Sequence, residues 1–277
     1  MVCVSRGKDC PDCILKGSCV YSYVFETPPP PDTTKMRKYP NAPHPFVLTP
    51  PLESRRSYNA GEDIAFELTL IGKAIDYLPY FIYTFEELGQ MGIGKGRAKY
   101  QLQEVRSNAC EQEKRLIYSS VDKIFHNSHR VVTTEDLLRS KKHNNTASSI
   151  SLHFITPARI KYDSRLTLTL EFHILLRNLL RRISMLSYFH CGEELDIEYK
   201  GLIQSAKDIT TTHKDLRWMD WESYSARQDT RMKMGGFVGK VTFFGDMREY
   251  LPFILLGERV HVGKGSSFGL GKYEISS

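Results

Sequence analysis

The sequence predicts an α+β fold built from two tandem units, each a set of antiparallel strands covered on one face by helices. Three observations predict it: an internal repeat, a helix-period apolar stripe flanked by strand-like runs, and a proline-dense segment that neither a helix nor a central strand accommodates.

The repeat carries most of the argument. LTLIGKAIDYLPYFI (68–82) aligns with VTFFGDMREYLPFIL (241–255) at a constant offset of 173 residues, with identities at Thr69/Thr242, Gly72/Gly245, Tyr77/Tyr250, Leu78/Leu251 and Pro79/Pro252. In each copy a β-rich apolar run ends at glycine and an amphipathic segment follows. A glycine-rich stretch and a second strand-like run come next.

The second copy extends backwards through strands expected at Arg217 to Tyr224 and Gly235 to Phe244. Before them, Phe172, Leu175, Leu176, Leu179, Leu180, Ile183 and Leu186 follow the i, i+3, i+4, i+7 rhythm of a core-facing helix, and Ser149 to Ile155 reads as a strand. The resulting order, βαββαβ, is the ferredoxin-like (RRM-like) plan, which leaves one sheet face free, and RNA-binding domains of that shape use such a face. The first copy is incomplete. Only 71 residues precede Gly72, many of them in a cysteine loop and a proline segment, so an opening strand and helix are expected to be missing from the start of this sequence.

Nine of the thirteen prolines lie between residues 28 and 51. The interleaved Phe25, Tyr39, Phe46 and Leu48 favour an extended arm packed on the first unit over a flexible linker. SKKHNNTAS (140–148) is the better boundary. The expected organisation is therefore a cysteine loop over 1–27, a partial first unit with its arm over 28–140, and a complete second unit over 148–277.

Composition bounds the partner. The apolar run Leu78 to Phe85 is interrupted by Pro79 and is far shorter than the roughly 20 residues a membrane span needs. The opening MVCVSRGKDC lacks the apolar core of a secretory leader, so a cytoplasmic protein with reduced thiols and no membrane partner is expected. The net charge of +6 suits a polyanion, and residues 227–277 concentrate it, with eight Lys/Arg against five Asp/Glu.

Four of the six cysteines fall within the first 19 residues, as Cys3-x6-Cys10-x2-Cys13-x5-Cys19. Thiols at that density in a reducing compartment hold zinc or an iron–sulfur cluster. The spacing resembles the [4Fe-4S] loop of endonuclease III type DNA glycosylases, and the single C-x2-C pair favours iron–sulfur over structural zinc. The hairpin element that a glycosylase carries ahead of its cluster is not visible, which leaves that activity a distant third reading. Cys110 and Cys191 are isolated and read as structural.

Near the C-terminus, HVGKGSSFGLGKYEI (261–275) spaces its glycines as G-x-G-x-x-x-G-x-G, neither a dinucleotide fingerprint nor a Walker loop. Gly263, Gly265, Gly269 and Gly271 let backbone N–H groups approach an oxygen-rich ligand, while Lys264, Ser266, Ser267 and Lys272 add donors and Phe268 an aromatic ring. Spacing alone leaves open a loop needed only for left-handed turns.

With a glycine-rich loop following a helix of a second ferredoxin-like unit, the stretch 235–275 resembles the C-terminal domain of RAMP-superfamily endoribonucleases that process CRISPR precursor RNA. The resemblance implies two ferredoxin-like domains, binding of CRISPR repeat RNA and metal-independent cleavage leaving a 2′,3′-cyclic phosphate. It also admits a non-catalytic RNA-binding subunit of a CRISPR effector complex, with other effector subunits as partners.

Cleavage without metal needs a base for the 2′-hydroxyl, an acid for the leaving 5′-oxygen and a cation for the phosphorane. Many members of the resembled family place the catalytic histidine on the helix expected to be missing here, so that role transfers to no residue. Among nine histidines, His44 lies in RKYPNAPHPF with Lys38 and Tyr39, and these three are the catalytic candidates. His261 adjoins the glycine motif, and Arg227 and Arg231 enter the strand before it, which makes all three RNA-contact candidates. His173 and His190 read as packing residues, Arg177, Arg181 and Arg182 as a solvated helix face, and Trp218, Trp221 and Tyr224 as core.

Overall fold

The computed structural model describes residue 3 and residues 10–30, 33–35, 41–53, 55, 57–94, 96–110, 113–140, 148–225 and 230–276. They form two compact units, one from Met1–Ala42 with Lys73–Thr133, the other from Pro43–Gly72 with Thr134–Ser277. This division differs from the expected organisation. The segment 43–72 packs with the C-terminal unit, and most of the expected boundary, 141–147, lies outside the described residues.

The reason is local. β1 (Phe46–Thr49) and β2 (Glu67–Leu70) pair antiparallel, and β1 lies against the C-terminal glycine loop, where a Cβ on Gly269 would strike the Leu48 carbonyl and the Pro50 ring. Absence of a side chain at Gly269 lets the proline-rich segment close onto that loop.

In the first unit, α1 (Leu78–Met91) carries Pro79 in its first turn, where a missing N–H costs nothing. Its Ile82 packs with Ile117 and Tyr118 beside the antiparallel pair β3 (Glu104–Cys110) and β4 (Glu113–Ser119). Tyr118 donates a short hydrogen bond to Glu86 of α1, which pushes the phenol up to about 12. Cys10–Asp12 forms one turn of 3-10 helix.

In the second unit, α2 (Thr134–Ser140) precedes β5 (Ser149–Ala158), a two-residue hairpin of β6 (Lys161–Tyr162) and β7 (Arg165–Leu166), and α3 (Phe172–Leu186). Asp163 and Ser164 at the hairpin tip both have positive φ, the geometry that two-residue loops use to match strand twist. Then follow α4 (Tyr199–Ser205), β8 (Thr210–Met219), β9 (Glu222–Ser225), β10 (Thr230–Lys233), β11 (Gly236–Phe244), α5 (Leu251–Val260) and β12 (Tyr273–Ser276). Antiparallel pairing orders the main sheet β12-β5-β11-β8.

α3 spans the residues its apolar rhythm predicts. Leu175, Leu176, Leu179 and Leu180 bury against Phe154, Phe237, Phe243 and Tyr273 of the sheet, each leucine contributing about 2 kcal/mol. The repeat is legible in three dimensions, because Pro252 opens α5 as Pro79 opens α1. The opposite sheet face is polar: the Ser151 and Thr242 hydroxyls meet at 2.8 Å, and His153 lies level with Lys240 and Glu274. Trp218, on the outer strand β8, and Trp221, just beyond its end, are more than a third exposed rather than core. Among the described residues no helix is long and apolar enough to cross a membrane.

Candidate nucleic-acid interface

The glycine loop is held from beneath. Its backbone donates from Lys264 to Arg159, from Gly271 to Pro157 and from Val262 to Gly271, while Thr156 donates its hydroxyl to the Gly269 carbonyl at 2.7 Å. Gly271 sits at φ 71 with the Val262 carbonyl where a Cβ would be, so both conformation and space demand glycine. Ser266 and Ser267 are buried, and Ser266 donates to the Gly263 carbonyl at 2.8 Å. Gly263 and Gly265 are half-buried, and Lys264 and Phe268 project into solvent, the latter 57 % exposed. Lys272 is engaged by Glu67 at 2.8 Å. The loop therefore presents one cation and one ring, and directs most of its other donors inward.

Lys264 does not stand alone. Burial pushes its ammonium below the usual lysine range, and Lys161, Arg159 and Arg181 push it further the same way. Four cations from the loop, the end of β5, β6 and α3 thus converge, and Arg177 lies over the Tyr162 ring 6.0 Å from its centroid. Arg159 is fixed by donating to the Lys233 and Gly235 carbonyls. Such concentration is a site for an anion with several charges. Sequence reasoning named Lys264 and missed Arg159 and Lys161, which reach it because the chain just after β5 lies beside the loop, with Arg159 bridged to Gly263. Arg231 is exposed at 3.7 Å from Glu222, and Arg227 lies outside the described residues.

A second polar cluster lies under the loop. His261 is 2 % exposed, held at φ 59 after α5, with Nε2 at 3.5 Å from the Thr49 hydroxyl. Burial, then Lys272 and Arg182, push its imidazole down to about 4, against the opposing Leu270 carbonyl and Glu67. Arg182 is turned inward: its Nε donates to the Val260 carbonyl at 2.6 Å, and burial pushes the guanidinium down to about 10. The helical rhythm could have found it, since Arg182 is i+3 from Leu179 on the apolar stripe. His190 donates from Nε2 to the Pro43 carbonyl at 2.7 Å and is pushed down by burial, with His44 and Arg182 adding to the effect. His44, half-buried, stacks on Phe46 with centroids 5.6 Å apart. Two histidines chosen from sequence, His44 and His261, therefore flank β1, joined by His190 and Arg182. Lys38 and Tyr39 lie outside the described residues.

In the first unit Cys3, Cys10, Cys13 and Cys19 are free and half-buried, and the Cys13 N–H donates to the Cys10 carbonyl at 3.2 Å. Burial and Glu26 push the Cys10 thiol up, with Cys3, Cys19 and Cys13 adding to it, so all four sulfurs are electrostatic neighbours. Among the described residues no three His, Cys, Asp or Glu side chains are arranged as a finished metal cage. The donor set suits a thiophilic metal, while its arrangement is more open than a formed site.

Residues 1–135 match a family model described as an N-terminal domain, and residues 152–273 match the model of the CRISPR-associated endoribonuclease Cas6. No curated protein sequence matches the chain. Among solved structures, a Thermus thermophilus Cas6 product complex is 17% identical over 84% of this chain and 82% of that one, with a TM-score of 0.54. A chain of a partial Cas6-RT-Cas1–Cas2 complex is 18% identical over 83% of this chain and 38% of its own length, with a TM-score of 0.53. The fold is shared with these structures, and residues 152–273 are similar to the CRISPR-associated Cas6 endoribonucleases whose family model they match.

Proposed function

We propose that this chain binds CRISPR repeat RNA and cleaves precursor CRISPR RNA without a metal ion, leaving a 2′,3′-cyclic phosphate. The observation that carries the reading is the convergence of Lys264, Lys161, Arg159 and Arg181 beside the exposed Phe268, on a domain that matches the Cas6 family. Cations hold phosphates and an exposed ring stacks a base. The strand order β12-β5-β11-β8, with α3 and α5 on one face, supports reading the second unit as ferredoxin-like, and the repeat supports a related first unit.

In the proposed reaction a base takes the proton of the 2′-hydroxyl, the 2′-oxygen bonds to phosphorus, and the bond to the 5′-oxygen breaks as an acid protonates it. His44 is the first candidate for base or acid, with Lys38 and Tyr39 as cation and proton relay. The cysteines would hold a [4Fe-4S] cluster or a zinc ion that ties down the start of the chain, with no part in cleavage. The presence of one structural neighbour in a Cas6-RT-Cas1–Cas2 complex supports other CRISPR proteins as partners, met in the cytoplasm.

The test is incubation of the purified chain with repeat RNA in EDTA, with products examined for the cyclic phosphate end. Cutting that needs magnesium overturns the mechanism. Binding without cutting favours the second reading, a non-catalytic CRISPR RNA-binding subunit. That reading draws on the inward orientation of His261, which leaves the glycine loop without an exposed histidine.

A further inference from the structure

We propose that the first unit carries a second RNA contact, the turn Gly94–Lys99, which grips the phosphodiester backbone; the inference rests on the RNA-binding reading above. Ile93-Gly94-Lys95-Gly96 repeats Val262-Gly263-Lys264-Gly265, and Lys99-Tyr100 repeats Lys272-Tyr273, with two residues between Gly96 and Lys99 against six between Gly265 and Lys272.

Both loops are anchored alike. The Gly92 N–H donates to the Leu88 carbonyl at the end of α1, and the His261 N–H donates to the Gly257 carbonyl at the end of α5, both at 2.8 Å. Beyond each loop a tyrosine returns to its own helix: Tyr100 donates to the Phe85 carbonyl at 2.7 Å, and Tyr273 to the Ile254 carbonyl at 2.6 Å. The turn is thus a shortened copy of the glycine loop, and its differences from that loop point to its use.

Where the C-terminal loop buries both serines and lies against β1, the first-unit turn is open. Gly94, Gly96, Arg97 and Lys99 are exposed, and a Cβ on either glycine would meet nothing. Reciprocal bonds between Ile93 and Ala98, 2.9 and 3.0 Å long, hold the turn closed, and the Arg97 N–H donates to Gly94. Arg97 occupies φ 47, a left-handed conformation that glycine would adopt more easily. A guanidinium at that strained position, with Lys95 and Lys99 within two residues of it in sequence and no acidic residue between residues 93 and 103, is a local concentration of positive charge. Among the described residues neither the Arg97 nor the Lys99 side chain has a hydrogen-bonding or ion-pair partner. Lys95 lies outside the described residues. Unpaired cations on a tight glycine turn with exposed backbone suit a chain of phosphates.

The test is binding of labelled repeat RNA to the full chain over a salt series. Arg97→Gly removes the guanidinium and eases the backbone, and Lys99→Gln removes the second charge. The double variant should bind about tenfold more weakly or worse, with a salt slope shallower by about 1.4, the expectation for two lost contacts to a single strand. Arg97→Lys with Lys99→Arg should restore both. If the double variant melts early, Arg97→Gly alone gives the same reading at about half the slope change. Unchanged affinity and slope in a folded variant would overturn the second contact while wild-type binding upheld the function; a wild type that binds no repeat RNA would overturn both.

Discussion

His261 and Thr49 meet across 212 residues of sequence, Nε2 to hydroxyl, at 3.5 Å, and both side chains are buried. Through this contact the proline-rich segment is joined to the glycine loop by an imidazole that folding keeps neutral. An imidazole pushed from 6.5 down to about 4 binds fewer protons in the folded state than in the unfolded one. Its contribution is full above the unfolded value and is lost as pH falls from about 6.5 towards about 4, amounting to about 3 kcal/mol at the acid end. His190, also pushed down by burial, acts with the same sign. Denaturant midpoints should therefore fall between pH 7 and pH 4, and His261→Gln should flatten much of that fall. A variant whose curve dropped as steeply as wild type would remove His261 from the account.

The cation cluster makes a separate prediction. Replacing Lys161 and Lys264 together by alanine should weaken RNA binding by about tenfold or more and make its salt dependence shallower, since each lost phosphate contact releases fewer counterions. Replacing Lys161 alone relieves one of the charges that depress Lys264, so the Lys264 ammonium should titrate higher, observable by its chemical shift. A Lys264 unmoved by that change would show that burial, the larger cause, is the whole of it.

Much of the second unit was legible in the sequence because local pattern and tertiary demand agree there. The stripe from Phe172 to Leu186 encodes both the helix and the face it buries, and Pro252 and Gly271 mark a helix start and a left-handed turn by chemistry alone. Long-range closure was not legible. Nothing near Pro50 announces that its ring will fill the space left by Gly269, so the segment 43–72 was expected on the other unit. The site divides the same way: Lys264 is visible as part of a motif, whereas Arg159 and Lys161 become its neighbours only once the chain after β5 lies beside the loop, where the Lys264 N–H donates to the Arg159 carbonyl. Arg182 was hidden by its type, since an arginine on an apolar stripe reads as solvated until its donor is seen on the Val260 carbonyl.

His44 offers the sharpest test of the chemistry. Its ring stacks on Phe46 and neighbours His190, so His44→Ala should leave repeat RNA binding near wild type while cutting is reduced by about a hundredfold or more, the usual scale for a lost general base or acid. His190→Ala should act differently: it frees the Pro43 carbonyl and loosens the segment that carries His44, lowering thermal stability along with cleavage. Normal cutting by His44→Ala would move the base to another residue.

The metal proposed for the first unit's cysteines has its own test. Four thiols within 19 residues, of which Cys3, Cys13 and Cys19 are electrostatic neighbours of Cys10, repel as thiolates and gain most from a shared cation. Anaerobically purified protein should be brown, with about four iron and four sulfide per chain if one cubane cluster is held. Cys13→Ser should lower the iron content and the melting temperature before it changes cleavage, because Cys10–Asp12 and the bond from Cys13 to Cys10 form the turn that presents two of the four sulfurs. Colourless protein with one zinc would replace the cluster by a structural zinc site on the same residues. Metal-free protein that melts at the same temperature with or without added iron or zinc would refute both, leaving four reduced thiols whose proximity has no ligand to explain it.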